Sequence, residues 1–164
     1  MTKEETIALL DKRGIKYERF DHQAIFTVEE GEGITFPHPE AGTKNLFVRD
    51  DRKYGYYLIT VRESKRVDLK SFASANGLRR LSFAGEEELM RYLSVKPGSV
   101  TPLGLLSEGA GAVRFFLDSE LRGSLVGMHP CENTATLYLS DSDLFSLLCD
   151  AGIDCCYADI PVKG

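Results

Sequence analysis

Short helical and extended patterns alternate along the chain. Residues 2–14 predict a helix: Thr2 and Glu5 have capping-box spacing, Ile7, Leu9 and Leu10 form an apolar stripe, and Gly14 is a stop signal. Residues 15–19 alternate apolar and polar, as a half-buried strand does. Thr27 and Glu30 repeat the capping-box spacing and predict a short helix that runs into Gly31 and Gly33. Residues 31–43, with two prolines and three glycines, predict a loop. Two strand-like runs, 45–49 and 56–61, flank a polar connector with Gly55 and predict a hairpin. Asp68 is placed to cap a helix ending near Gly77, with Leu69, Phe72 and Ala73 inward. A short strand over 80–83 precedes a helix over 86–93, whose three leading glutamates suit the positive end of the helix dipole. The glycine-rich residues 96–111 predict a loop, and 112–118, 124–127 and 134–139 predict strands. Ser140 caps a last helix over 141–151, stopped by Gly152, and a strand over 154–159 follows.

Strands outnumber helices and fall partly in neighbouring hairpin pairs instead of strict βαβ alternation. The expected class is α/β (α+β): a mixed, largely antiparallel sheet, curled or barrel-like, flanked by helices. The 164 residues fit one domain, 1–164, with no repeat, linker or low-complexity segment. A chain 43% hydrophobic and 27% charged excludes a disordered tail, a collagen-like rod and a disulfide-built mini-protein. No apolar run nears the roughly 20 residues of a membrane-spanning helix, so no membrane partner is expected. The first residues carry no apolar signal core, which points to a cytoplasmic protein. Cys131, Cys149, Cys155 and Cys156 form no CxxC pair, and the three that crowd the C-terminus have no histidine near them in sequence, so all four read as reduced packing thiols.

The formal net charge of −5 argues against a general nucleic-acid coat. Residues 62–80 depart from it, holding Arg62, Lys65, Arg66, Lys70, Arg79 and Arg80 against Glu63 and Asp68. That stretch reads either as a solvated face or as a strip for a phosphate backbone. Metal-ligating motifs, a P-loop, a GxGxxG turn and a GxSxG elbow are all missing, so neither metal nor cofactor is expected. Three loops at strand ends remain. The first carries Lys44 and Asn45 at the start of an apolar strand. The second, residues 96–104, has Gly98, Ser99 and Pro102, whose small and imino side chains let backbone N–H groups approach a ligand. The third brings Met128, His129, Asn133 and Thr134 just ahead of a strand. Each has a plain structural reading beside the functional one: Lys44 as a solvated edge charge, His129 as a packed loop histidine, Asn133 and Thr134 as local caps. Ser99 has no base beside it in sequence, which disfavours a serine nucleophile, and His22 and His38 read as structural.

Together these segments resemble the prolyl-tRNA synthetase-associated domain family, also called the YbaK family. The matching pieces, in order, are residues 26–30 (FTVEE), residues 43–48 (TKNLFV), Gly98-x-x-x-Pro102 followed by Leu103-Gly104, and His129-Pro-x-x-Asn133-Thr134-Ala135-Thr136. The likeness runs over nearly the whole chain and is strongest to the free-standing alanyl-tRNA(Pro) deacylase branch. It implies a barrel-like mixed sheet with flanking helices, and metal-independent hydrolysis of the ester joining a wrong amino acid, chiefly alanine, to the 3′ adenosine of tRNA(Pro). It further implies that Lys44 anchors the terminal phosphate and Asn45 positions the 3′ end. Gly98, Ser99 and Pro102 would line the aminoacyl pocket, and Met128 and His129 would sit by the amino acid, with Asn133 and Thr134 on the same loop. Its partners would be the tRNA 3′ acceptor end and, beyond it, prolyl-tRNA synthetase. The alternatives are a sensor of the same fold that binds aminoacyl-tRNA or an amino acid without cleaving it, and a domain that docks on a synthetase. Phe36-Pro37-His38-Pro39 matches no family motif; folded over the pocket, it would change the size preference.

Overall fold

The computed structural model describes residues 1–25 and 28–164 and, of residue 28, the backbone alone. Helix α1 (Lys3–Lys12) is capped as its spacing predicts. Thr2 Oγ1 accepts from the Glu5 N–H and the Glu5 carboxylate from the Thr2 N–H, each at 3.1 Å. At its far end Gly14 turns left-handed (φ +69°) and the Ile15 N–H returns to the Leu10 carbonyl at 3.0 Å. That closure draws residue 15 into the helix end, so the strand expected over 15–19 forms later, as β1 (Glu18–Asp21). Helix α2 (Val28–Glu32) follows, while Thr27, its predicted cap, and Phe26 of the matched motif lie outside the described residues.

A single turn at Pro39–Ala41 leads into the hairpin of β2 (Thr43–Asp50) and β3 (Tyr56–Arg62). Asp50 closes it by accepting from the backbone N–H groups of Arg52, Tyr54 and Gly55. Helix α3 (Leu69–Ala75) starts on Asp68 as expected. Next come β4 (Leu81–Phe83) and α4 (Glu86–Leu93), whose Glu88 accepts from the Gly85 N–H and from Tyr56 Oη. The glycine-rich loop contains two tight turns, Pro102–Leu106 and Glu108–Ala112. Strands β5 (Val113–Asp118), β6 (Leu125–Met128) and β7 (Ala135–Ser140), helix α5 (Asp141–Asp150) and β8 (Asp154–Ala158) complete the order.

The strands form a five-stranded sheet, β4-β2-β3-β5-β8, and a three-stranded sheet, β1-β7-β6. Pairing is antiparallel except β3 with β5 and β5 with β8, which run parallel after helical crossovers. The expected class, mixed and largely antiparallel with flanking helices, is thus found, divided between two sheets. They meet where Gly42 bridges Gly127. A Cβ at Gly127 would lie 2.9 Å from the Tyr138 ring and 3.3 Å from the Ala41 carbonyl, so the junction needs glycine there.

Both faces of the five-stranded sheet are covered. Phe47, Tyr56 and Leu58 join a core with α1, α4, α5 and the 102–106 turn. Val48, Tyr57, Ile59 and Val61 face the other way, against Phe72 of α3 and Phe116. One edge is incomplete. Strand β4 pairs only with Val48, Arg49 and Asp50, Ala84 adds one bond to the Phe47 carbonyl, and the three-stranded sheet reaches back only as far as Gly42. Between these contacts, at Lys44–Leu46, the edge of β2 has no ladder partner among the described residues.

Candidate active site at the open edge of β2

Lys44 and Asn45 occupy this open edge, and the two-residue period of a strand sends them to opposite faces. Asn45 faces the 96–104 loop: its Nδ2 donates to the Val100 carbonyl at 3.2 Å, and its Oδ1 accepts from the Thr60 hydroxyl. Lys44 pairs with Val61 in the ladder and so lies on the α3 side. There it lines a hollow of about 450 Å³ with Arg66, Asp68, Lys70, Phe83 and Lys163. The structure therefore puts the predicted anchor and the predicted pocket loop on two sides of one strand.

That loop is preorganised by its own sequence. The Ser99 N–H closes a turn on the Lys96 carbonyl at 3.0 Å, with Gly98 left-handed (φ +88°). Thr101 Oγ1 accepts from the Leu103 N–H, and Pro102 opens the tight turn that follows. Pro102 and Ser99 are buried, while Gly98 lies exposed on the rim. A Cβ at Gly98 would come no nearer than 4.0 Å to Asn133 Nδ2, so space is available but the φ is costly. Gly98→Ala is expected to destabilise the fold by about 1 kcal/mol without changing the far-ultraviolet circular dichroism. Urea unfolding checks this.

The 128–136 segment closes the site from the three-stranded sheet. Met128 is buried at the end of β6. Asn133, also buried, donates from Nδ2 to the Ile25 carbonyl at 3.2 Å. Thr134 Oγ1 accepts from Lys3 Nζ at 3.0 Å, and its carbonyl accepts from the His22 N–H. The His129 Nδ1 lies 3.0 Å from the Ala135 carbonyl, which can only accept. Nδ1 therefore carries the proton, and Nε2 of the neutral ring keeps its lone pair. Burial pushes the His129 imidazole below its ordinary value of 6.5; the Ala135 bond opposes this and nearby His22 adds to it.

Between the lowered folded pKa and 6.5 the unfolded chain binds more protons at this position, so stability rises with pH through that window. His129→Gln is expected to weaken this acid sensitivity, measured as the difference in urea midpoint between pH 5 and pH 7. An unchanged difference would show that His129 contributes nothing to it.

His22, expected to be structural, lies next to His129, and Thr136 and Phe36 pack against it. The His22 and His129 rings lie 6.2 Å apart. His22 Nδ1 donates to the Gln23 carbonyl at 2.8 Å, and its Nε2 lies 2.9 Å from Thr136 Oγ1. Phe36 packs on both His22 and Phe20 with ring centroids 5.5 Å apart, while His38 bonds Glu18. The 36–39 loop thus folds against β1 beside the two histidines. No short-range signal marks His22, because its partner Thr136 is 114 residues away.

The geometry has two parts: a loop of small residues tied to Asn45 at Val100 and neighboured by Asn133 at Gly98, and a cationic hollow behind the strand that carries Asn45. Comparison with known proteins shows the family of the chain. Residues 22–147 match the aminoacyl-tRNA editing domain family. The chain is 37% identical over 143 residues to the prolyl-tRNA editing protein ProX of Acetoanaerobium sticklandii, covering 87% of each chain. It is 36% identical over 163 residues to prolyl-tRNA synthetase associated domain-containing protein 1 of Bos taurus, covering 92% of each. It also shares its fold, at a TM-score of 0.71 and 20% identity, with the crystal structure of a candidate trans-editing enzyme for prolyl-tRNA synthetase, covering 100% of this chain and 99% of that one. Editing of an aminoacyl-tRNA is hydrolysis of its ester, and this chain, a deacylase, belongs to the aminoacyl-tRNA editing domain family.

Proposed function

We propose that the protein edits in trans, hydrolysing the ester of mischarged tRNA(Pro), chiefly Ala-tRNA(Pro). The observation that carries this reading is Asn45 bonded to the Val100 carbonyl of the Gly98–Pro102 loop, with Asn133 of the His129 loop as the nearest neighbour of Gly98, in a chain similar to a prolyl-tRNA editing protein. The 3′ end of the tRNA rounds the open edge of β2. Its terminal phosphate meets the Lys44 ammonium on the α3 side, and its ribose passes Asn45. The aminoacyl group enters between the 98–102 loop and His129.

Water attacks the ester carbonyl carbon, the bond to the ribose 3′ oxygen breaks, and that oxygen leaves as a hydroxyl. The ester is already labile, so orientation and backbone N–H groups around the developing oxyanion supply most of the acceleration, with no metal or cofactor. The neighbouring 2′-OH of the tRNA assists the attacking water. Lys44 binds and aligns; it is not the base. His129, with Nε2 unprotonated, stands as proton acceptor or as pocket wall. Alanine is smaller than proline, so a small pocket excludes the correct residue by clash, the hydrolytic half of a double sieve. Phe36, packed on His22, is a candidate wall for that limit.

A panel of Ala-, Ser-, Cys- and Pro-charged tRNA(Pro), without added metal or nucleotide, tests both activity and size limit. Alanine should be released fastest and proline spared. Absence of turnover on every member would leave the sensor reading, and equal turnover of the Pro-charged tRNA would reject the size sieve.

A further inference from the structure

We infer that helix α1 takes part in editing and that Lys3 is a positioning residue for the loop that carries His129 and Asn133; this rests on the proposed deacylase reading. The loop between β6 and β7 holds a strained residue. Cys131, near its middle, is buried and left-handed (φ +66°), a conformation costly for any residue but glycine. Such strain persists only where surrounding contacts enforce it.

Those contacts come from α1. Its capping box makes Lys3 the first helical residue, whose N–H has no partner within the helix. Glu132 supplies one: its carboxylate accepts from that N–H at 2.7 Å, at the end of the helix dipole that favours negative charge. Lys3 Nζ donates to Thr134 Oγ1 at 3.0 Å. One turn on, buried Thr6 is a hydrogen-bonding neighbour of the Cys131 thiol. The helix is itself fixed, because Ile7 and Leu10 lie in the core that also holds Met128 and Leu137 of the strands flanking the loop.

Lys3 thus grips the residues on either side of Asn133. Asn133 is turned towards the pocket: its Nδ2 bonds the Ile25 carbonyl and is the neighbour of Gly98. Beyond it, the Thr134 carbonyl accepts from the His22 N–H, and the Ala135 carbonyl holds His129 Nδ1. A displacement at Thr134 therefore reaches Asn133 and both histidines. Lys3 offers the reaction no group of its own. Its contribution is orientation, where misplacement by about 1 Å costs as much as about a hundredfold in rate.

Lys3→Met keeps the aliphatic stem and the backbone bond to Glu132 and removes only the ammonium. On Ala-tRNA(Pro), kcat should fall by about fivefold or more, with KM within about twofold and Tm within about two degrees of the parent. Lys3→Arg should restore most of kcat. Thr134→Val should slow turnover similarly, and the double variant should be no slower than the slower single one, because both changes remove the same bond. Lys12→Met, at the other end of α1, should match the parent. An unchanged kcat in Lys3→Met, or losses that multiply in the double variant, would overturn the assignment. Amide hydrogen exchange reads the loop without turnover: residues 129–134 should exchange about fivefold or more faster in Lys3→Met, with β7 unchanged. If the parent releases no amino acid from any mischarged tRNA, the deacylase reading itself has failed. Exchange then decides whether Lys3 braces the loop: faster exchange supports it and equal exchange rejects it.

Discussion

Lys44→Ala is expected to lower kcat/KM for Ala-tRNA(Pro) by about a hundredfold or more, combining removal of a charge-assisted bond to phosphate with misplacement of the ester. The effect should be functional and not structural. Lys44 is only half-buried, its backbone is held by β3 through the Val61 pairing, and its side chain borders a hollow instead of filling the core. The Tm should therefore stay within a degree or two of the parent. Steady-state kinetics separates two roles. A rise in KM with kcat intact makes Lys44 an anchor only, whereas a fall in kcat shows that the phosphate grip also aligns the reacting carbonyl. Lys44→Arg, which keeps the charge on a longer arm, should recover binding before it recovers kcat. A Lys44→Ala protein as active as the parent would remove the basis of the proposed mechanism.

The second large effect is on stability. Asp118, fully buried at the end of β5, accepts from Lys65 Nζ at 2.6 Å, and the Lys65 side chain is itself only 7% exposed. Its other oxygen accepts from the Glu120 N–H. Removing one partner strands the other charge in the interior. Asp118→Ala should therefore cost about 3–5 kcal/mol, towards the lower end because Glu120 lies 3.5 Å from Lys65 on the solvent side. Urea unfolding at pH 7 measures this. The double variant Asp118→Leu/Lys65→Met, which removes both charges at similar volume, should recover most of the loss. A double variant as unstable as the single one would locate the damage in packing at the end of β5 instead of in the unpaired ammonium.

Most helix starts were legible because each cap bonds within a few residues of itself. Thr2 with Glu5, Asp68 with Ser71 and Ser140 with Asp143 are sequence neighbours whose chemistry needs no tertiary partner. The β2–β3 hairpin was legible for a similar reason, since Asp50 ties its own turn. The first strand was displaced because the helix-ending bond from Ile15 to Leu10 competes with extension. The parallel neighbours β3, β5 and β8 left no local trace. Their pairing depends on crossovers that periodicity alone does not order.

For the site, the sequence by itself determined the parts: a cation and an amide at the head of an apolar strand, a loop of glycine and proline, and a histidine ahead of β7. Tertiary structure alone decided how they combine. It set Asn45 against the 96–104 loop and Lys44 into a hollow beside α3, carried His22 to His129, brought Lys163 alongside Arg66 and withdrew Lys65 onto Asp118. The reason is physical. Side-chain direction follows from the strand period, which the residues encode. The faces and neighbours to which those directions lead follow from long-range burial and pairing, which only the closed fold supplies.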